Sequence, residues 1–271
     1  MCNICVMNSV KEKMLSRRQF FKASALSGAA VATLGMTAAK PALAEAMGKV
    51  VDMTHTFTPE FPTFGGAPGI SMEKTVKFEE SGYQLFRVTY DEHSGTHLDA
   101  PLHFSEDGVS IDEMPVENFV CPLCVIDIKA KAAEDANCML EPEDIAAWIS
   151  ANGDIPAGAC VAMNSGWEHK LGDPSFRNDA DGNFAFPGFS KSATDMLAEM
   201  GVVSIGVDTL SLDPGSSADF AVHYGWLPSG RYGIECLAGL DKLPAKGATI
   251  FVGAPKIGGA TGGPGRVMAV V

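Results

Sequence analysis

The chain is short of positive charge. Its 271 residues hold 20 Lys and Arg against 33 Asp and Glu, a formal net of −13. No basic patch with interleaved aromatics occurs along it. That argues against nucleic acid or an anionic lipid surface as a partner, since either must be met by clustered Lys and Arg. Long apolar runs are missing too: none reaches the roughly 20 residues of a membrane span. Cysteine is sparse, seven in all, with five beyond residue 44: Cys121, Cys124, Cys138, Cys160 and Cys236. An odd number argues against a complete disulfide framework. The spacing Cys121-Pro-Leu-Cys124 has no second pair to finish a zinc knuckle, and it runs into the apolar VIDI. These thiols are therefore expected as small core residues. With 46% hydrophobic residues and no linker or low-complexity tract after residue 44, the chain is long enough for one domain with a sizeable core.

What is present begins at the N-terminus. Residues 16–22 read SRRQFFK, followed by ASALSGAAVATLGMTAA and KPALAEA. Paired arginines, a weakly apolar stretch rich in Ala and Gly, and the small-x-small site Ala42-Leu43-Ala44 make a twin-arginine export signal. The expectation is a signal peptide over 1–44, cut after Ala44, and a mature domain over 45–271. The mature chain would be periplasmic, with the twin-arginine export machinery as a partner and no stable membrane anchor. Residues 1–44 hold six basic residues (Lys11, Lys13, Arg17, Arg18, Lys22, Lys40) and one acid (Glu12), leaving 14 basic and 32 acidic residues and a net of −18.

Six segments read as strands: 51–57 (VVDMTHTF from 50 onward in pattern), 84–92, 124–128, 160–165, 202–209 and 249–254. Helical signals are fewer. Glu141-Pro142-Glu143-Asp144 places acids in a first turn, with Gly153 as a stop. Ser190 caps KSATDMLAEMG, whose Ala193, Met196, Leu197 and Met200 make one apolar face. Short strands with two or three helices predict an α+β domain around a mixed sheet. The glycine-rich PKIGGATGGPGR at 255–266 lacks the lysine-serine ending of a phosphate loop and reads as an irregular closure of the core.

Histidine is scarce as well, with six in the chain, yet three of them fall in HSGTHLDAPLHF at 93–104. His93, His97, Asp99 and His103 occupy odd-numbered positions, so an extended chain would project them to one side. A helix would bring 93 and 97 together, but Gly95 and Pro101 disfavour it. Imidazole and carboxylate suit zinc, manganese or iron, and no cysteine is near enough to suggest a thiolate site.

This stretch resembles the signature of the metal-dependent cyclase family, which includes bacterial kynurenine formamidase and isatin hydrolase. DMTHTF near the mature start, NSGW at 164–167, GVDTLSLDP at 206–214 and the glycine-rich PKIGGATGGPGR resemble family landmarks in the same order. The resemblance implies a swivelling β/β/α fold and a homodimer or larger assembly. It implies that His93, His97 and Asp99 hold a first divalent metal, zinc or manganese, with Asp99 able to bridge to a second. His223 and Glu235 match the remaining ligands of that second metal, although their local strings HYGW and GIECL would not identify them. His103 matches a proton-transfer residue. The activity implied is hydrolysis of an amide carbon–nitrogen bond, in a small-molecule formamide or lactam, by metal-activated water.

Two departures bear on the substrate. The formamidase branch has an early tryptophan that packs on an aromatic substrate, and the match here is Phe64 in FPTFGG. An export signal also sets the chain apart from a cytoplasmic catabolic pathway. A general amide or lactam hydrolase is therefore preferred over a kynurenine formamidase proper. A non-catalytic periplasmic protein that binds a metal or ligand is the reading from another class, and His103 speaks against it. His55 is expected to fix a turn near the site, His169 to lie at the surface, and Asp208, Ser211 and Asp213 to lie in a loop whose acids either approach the metals or cap turns.

Overall fold

The computed structural model describes residues 48–271. The segments read as an export signal and its cleavage site, and Cys2 and Cys5, lie outside the described residues. In chain order the strands are β1 (Val50–Asp52), β2 (Ile70–Val76), β3 (Leu85–Tyr90), β4 (His97–Asp99), β5 (Val120–Asp127), β6 (Met139–Leu140), β7 (Cys160–Asn164), β8 (Gly188–Phe189), β9 (Ser204–Val207), β10 (Tyr232–Glu235), β11 (Ala248–Gly253), β12 (Gly262–Pro264) and β13 (Arg266–Val270). The helices are α1 (Phe78–Ser81), α2 (Lys129–Glu134), α3 (Pro142–Asn152), α4 (Lys191–Glu199) and α5 (Ala221–Trp226).

Nine strands form one sheet in the order β1-β13-β11-β5-β7-β9-β10-β4-β12. The middle four, β5, β7, β9 and β10, run parallel, and antiparallel pairs flank them on both sides. The reason is visible in the sequence. CVAMN and SIGV are nearly unbroken apolar runs and are fully buried, as parallel strands covered on both faces must be. Alternate residues feed two cores. Cys124, Ile126, Val161 and Val207 face α3 and α4 through Ile145, Trp148, Ala193 and Leu197. Leu123, Val125, Ala162 and Ile234 face the opposite side with Leu98, Ile250 and Val267. Cys121 and Cys124 therefore belong to different cores, and all five described cysteines are free and buried.

Both expected helices form, with their signals in place. Glu141 and Asp144 make a capping box, Pro142 starts α3, and Gly153 ends it at φ 80°. The Ser190 hydroxyl accepts the Ala193 amide at 3.2 Å to cap α4. Of two further expectations, one holds and one needs correction. The strand expected over 84–92 forms as Leu85–Tyr90, and it lies outside the nine-stranded sheet. It pairs with β2 in a hairpin tipped by α1, and most of the hairpin is exposed. The run from 93 to 103 is neither one strand nor one helix. Gly95 has φ +67°, only 97–99 is strand, and Pro101–His103 is a 3-10 turn. Among the described residues no helix is long and apolar enough to cross a membrane.

Candidate metal centre

Three elements converge on one point. β4 carries His97 and Asp99, two residues apart and so on the same face. β10 pairs antiparallel with β4, setting Glu235 opposite His97. On the other side β12 pairs with β4, and Gly262 sits opposite Asp99. A Cβ at Gly262 would lie 2.1 Å from the Leu98 carbonyl oxygen, so the glycine-rich segment is glycine because two backbones meet there. Gly95 is glycine for the same kind of reason. Its backbone is left-handed, and a Cβ would press on the Phe57 ring at 3.0 Å.

His223 arrives on α5, and Asp213 puts it there. The Asp213 carboxylate accepts the Val222 amide at 2.9 Å, the His223 amide at 3.1 Å and the His223 Nδ1–H at 2.6 Å. It caps the helix and orients the ring in one stroke, leaving Nε2 to face inward. His97 is oriented likewise, with Nδ1 donating to the Gly95 carbonyl at 3.0 Å.

The resulting cluster is tight and dry. His97 Nε2 lies 3.3 Å from Asp99 Oδ1 and 3.3 Å from Glu235 Oε2. His223 Nε2 lies 3.3 Å from Glu235 Oε1 and 3.7 Å from Asp99 Oδ2. His93 Nδ1 lies 2.7 Å from Asp99 Oδ1, while its Nε2 meets the Thr261 hydroxyl at 2.8 Å. Thr261 in turn donates to Glu92. His103 stacks on His93 with ring centroids 3.6 Å apart and lines the same cavity. The structure thus brings together all six expected residues, His93, His97, Asp99, His103, His223 and Glu235. Phe64 lines the cavity above them.

The electrostatics follow from the burial of Asp99 and Glu235. Burial by itself lowers His97, but the Asp99 and Glu235 carboxylates 3.3 Å from its Nε2 outweigh it and lift the ring to about 10. His223 is likewise lowered by burial and raised further by Asp213, Asp99 and Glu235, ending well above its usual value. Asp99 is raised by burial but held well below the carboxylate range by the His223, His93 and His97 rings. Burial lowers His103 to about 4, with Asp99 opposing and His93 and His223 reinforcing. Two carboxylates this deep need positive charge beside them. Protons on the imidazoles supply it in this arrangement, and a divalent cation would supply it in their place.

The donors fit such an ion. His97 Nε2 and Asp99 Oδ2 are buried with no hydrogen-bond partner, an expense that a metal ligand bond would remove. Ligand atoms of His97, Asp99 and Glu235 lie within 4.8 Å of one another, and so do those of His93, Asp99 and His103. Asp99 belongs to both groups. His103 is thus placed where it could ligate as well as transfer a proton, and His93 is the ring already engaged on both nitrogens.

Above the cluster is a cavity of about 240 Å³, walled by Phe64, Phe104, Phe220 and Leu210. Among the described residues, the non-glycine positions with left-handed backbone are Phe220 (φ 51°) and Cys236 (φ 54°). One caps the helix that carries His223 and the other follows Glu235. Backbone strain is concentrated at this site. Residue-by-residue reading missed Thr261 and Glu92 behind His93, and the ring of Phe220. Ser211 lines the cavity. Asp208 lies off it and holds the NSGW turn through Ser165 and Trp167. His169 is exposed against Asp241, and His55 is half-buried beside Phe61.

Residues 51–214 match the family model Cyclase, described as "Putative cyclase". The isatin hydrolase of Roseibium aggregatum is 31% identical over 242 residues, covering 82% of this chain and 92% of that protein. The kynurenine formamidase of Salinibacter ruber is 25% identical over 215 residues, covering 78% of this chain and 92% of its own length. The solved structure of isatin hydrolase A from Labrenzia aggregata, bound to benzyl benzoate, superposes with a TM-score of 0.79 at 37% identity. That match covers 84% of this chain and 95% of that one.

Proposed function

The chain belongs to the cyclase family, and from that premise we propose that it is a metal-dependent hydrolase cleaving the carbon–nitrogen bond of a formamide or a lactam. One observation carries the reading. A cluster of buried, partly unpartnered nitrogen and oxygen donors forms the base of a cavity that is otherwise apolar and aromatic. His97, Asp99, His223 and Glu235, with His93 beside them, would hold one or two divalent ions. Their donor set suits zinc or manganese. Bound there, a divalent ion supplies Lewis acidity, acidifying a water and polarising a carbonyl oxygen.

The residues of the chain do the rest. Asp213 and the Gly95 carbonyl keep the Nδ1–H of His223 and of His97 occupied, so each ring keeps Nε2 for the ion. Phe64, Phe104 and Phe220 exclude water and hold an apolar substrate face. A ring nitrogen of His103, at the cavity wall, takes the proton that the attacking water loses and returns it to the departing amide nitrogen. The bond that breaks is the acyl carbon–nitrogen bond, and the products are a carboxylate and an amine. Both the formamidase and the isatin hydrolase names in the family describe variants of that chemistry. The test is turnover of N-formylanilines, isatins and small lactams by purified protein loaded with zinc or manganese. Inertness across the whole panel would sink the hydrolase reading, and turnover of formamides alone would favour the formamidase branch.

Two further parts of the proposal concern context. SRRQFFK and Ala42-Leu43-Ala44 support export of the folded, metal-filled protein through the twin-arginine route to the periplasm. Changing Arg17 and Arg18 together to Lys should leave precursor in the cytoplasm, and normal export of that variant would refute the assignment. A homo-oligomer is supported by the β2–β3 hairpin, where Met72, Phe86 and Val88 share one face and are 55%, 40% and 44% exposed. A two-stranded ribbon is marginal alone, so a second copy is the cover we infer. A monomer by light scattering would overturn it.

A further inference from the structure

One wall of the cavity is aromatic, and a single cation braces it from behind. Phe64 lies in the strandless segment between β1 and β2 and stacks on Phe184, ring centroids 4.4 Å apart and planes at 30°. Arg177 reaches both. Its Nε donates to the Thr63 carbonyl at 3.1 Å and its Nη2 to the Phe64 carbonyl at 2.8 Å. Its guanidinium carbon lies 4.6 Å from the centre of the Phe184 ring. The remaining hydrogen bond, from Nη1, goes to Asn178 Oδ1 at 2.7 Å.

In a chain with 33 acidic residues, this guanidinium is spent on neutral oxygens and one ring face. Two of those oxygens are consecutive carbonyls of one turn, which the Gly66 amide closes by donating to the Thr63 carbonyl at 3.1 Å. A planar fork can serve two adjacent carbonyls and lie over a ring, whereas an ammonium cannot do both. Gly66 has φ +78°, and a Cβ there would lie 3.4 Å from Arg177 Nη2, so turn and cation fit closely. Among the described residues, the other ring near Phe64 is Phe220, at 5.9 Å on the cavity side. The bracing of Phe64 therefore comes from Arg177 and Phe184.

We propose that Arg177 is a positioning residue: by fixing Phe64 against Phe184 it sets how tightly an aryl ring is held over the imidazole–carboxylate cluster. The assignment rests on the amide-hydrolase reading of that site. It separates two properties of the enzyme. Aryl affinity depends on Arg177, while the chemistry below depends on residues Arg177 does not touch.

The test uses metal-loaded protein and two readouts. The first is binding of oxindole, a benzo-fused lactam, by calorimetry. The second is the split between KM and kcat for N-formylaniline and for N-methylformamide, which has no ring. Arg177→Gln should weaken oxindole and raise the N-formylaniline KM about tenfold, the scale of one lost ring contact with its support. Metal content, kcat and the N-methylformamide KM should stay near wild type. Arg177→Lys should recover little. Phe184→Leu, which keeps the carbonyl hydrogen bonds and removes the stacked ring, should move the same readouts the same way and serves if Arg177→Gln folds poorly. Unchanged oxindole affinity in both variants, or equal rises in KM for the ringed and ringless substrates, would overturn the proposal. Oxindole binding by a protein that hydrolyses no amide would instead fault the hydrolase reading and leave Arg177 in place.

Discussion

His97, Asp99 and Glu235 form one group of candidate donors within 4.8 Å of each other, and Glu168, His169 and Asp241 form another. By proximity the two are equal. Their surroundings differ. In the first, the side chains are 4%, 0% and 7% exposed, and two of the inward-facing atoms have no hydrogen-bond partner. In the second, His169 is 66% exposed and Asp241 34%. Asp241 already receives Lys129, Asn164 and His169, and Glu168 receives the Gly239 amide. The exposed group has a cation of its own in Lys129 and water for the rest. The buried group is shut away from solvent and has only its own imidazoles to balance the carboxylates. What marks a metal site is donors that are dehydrated and left unsatisfied, and closeness alone does not.

The sharpest way to break this comparison is to remove the shared acid. Asp99→Asn should lose most of the metal and reduce turnover by more than the about 10²–10⁴-fold of a lost general acid–base. Metal analysis and single-substrate kinetics read both. Because a bound ion stabilises the native state, a chelator should lower the melting temperature of the wild type and leave that of Asp99→Asn unmoved. Full metal occupancy in the variant would put the ion elsewhere. His103→Ala comes next. It should keep its metal and lose about 10²–10⁴-fold in turnover. Since His103 also lies within ligand distance of His93 and Asp99, loss of metal in this variant would reassign it as a ligand.

A smaller effect is expected one layer out. Asp213→Asn keeps the shape of the loop but weakens the grip on His223 Nδ1 and on the start of α5. Removing such a supporting partner costs about 10–100-fold in metal affinity, measurable by competition with a chromogenic chelator. The same measurement on Glu168→Gln should show no change, which sharpens the contrast between the two groups. Unchanged affinity in Asp213→Asn would mean that His223 is held by packing alone.

How much of this was legible beforehand divides along sequence distance. The caps of α3 and α4 and the apolar runs of β5, β7 and β9 are local signals, and they produced the elements expected. The stretch at 93–104 announced its chemistry by density, although its geometry was misjudged because Gly95 and Pro101 break the chain into turn, strand and turn. His223 and Glu235 came only through the family resemblance. Nothing in HYGW or GIECL distinguishes a ligand, and it is the pairing of β10 with β4, more than a hundred residues apart, that makes Glu235 one. β12 was invisible as a strand because glycines have no strand preference, yet close backbone contact with Leu98 requires them. Asp213 was one acid among several in a loop until the helix it caps was in view.

The last test addresses the exposed group, where the effect should be small and of known sign. Hydrogen bonds from Lys129, then Asn164 and His169, hold Asp241 well below the usual carboxylate range. A carboxylate whose folded value is depressed adds stability above its unfolded value near 4, and that stability fades as the pH falls through the folded value. The group is about a third exposed, so solvent and salt screen it, and a surface network of this kind contributes at most about 1 kcal/mol. Asp241→Asn should therefore lower the melting temperature at pH 7 by no more than about 2–4 °C, the shift that 1 kcal/mol produces in a domain of this size. The gap from wild type should shrink below pH 4, where the carboxylate takes up its proton in the unfolded chain while the folded one stays ionised, and it should shrink again in high salt. Metal content and turnover should not change. A variant at Asp241 that lost metal as Asp99→Asn does would show that proximity had been the better guide, and the contrast between buried and exposed donors would fall.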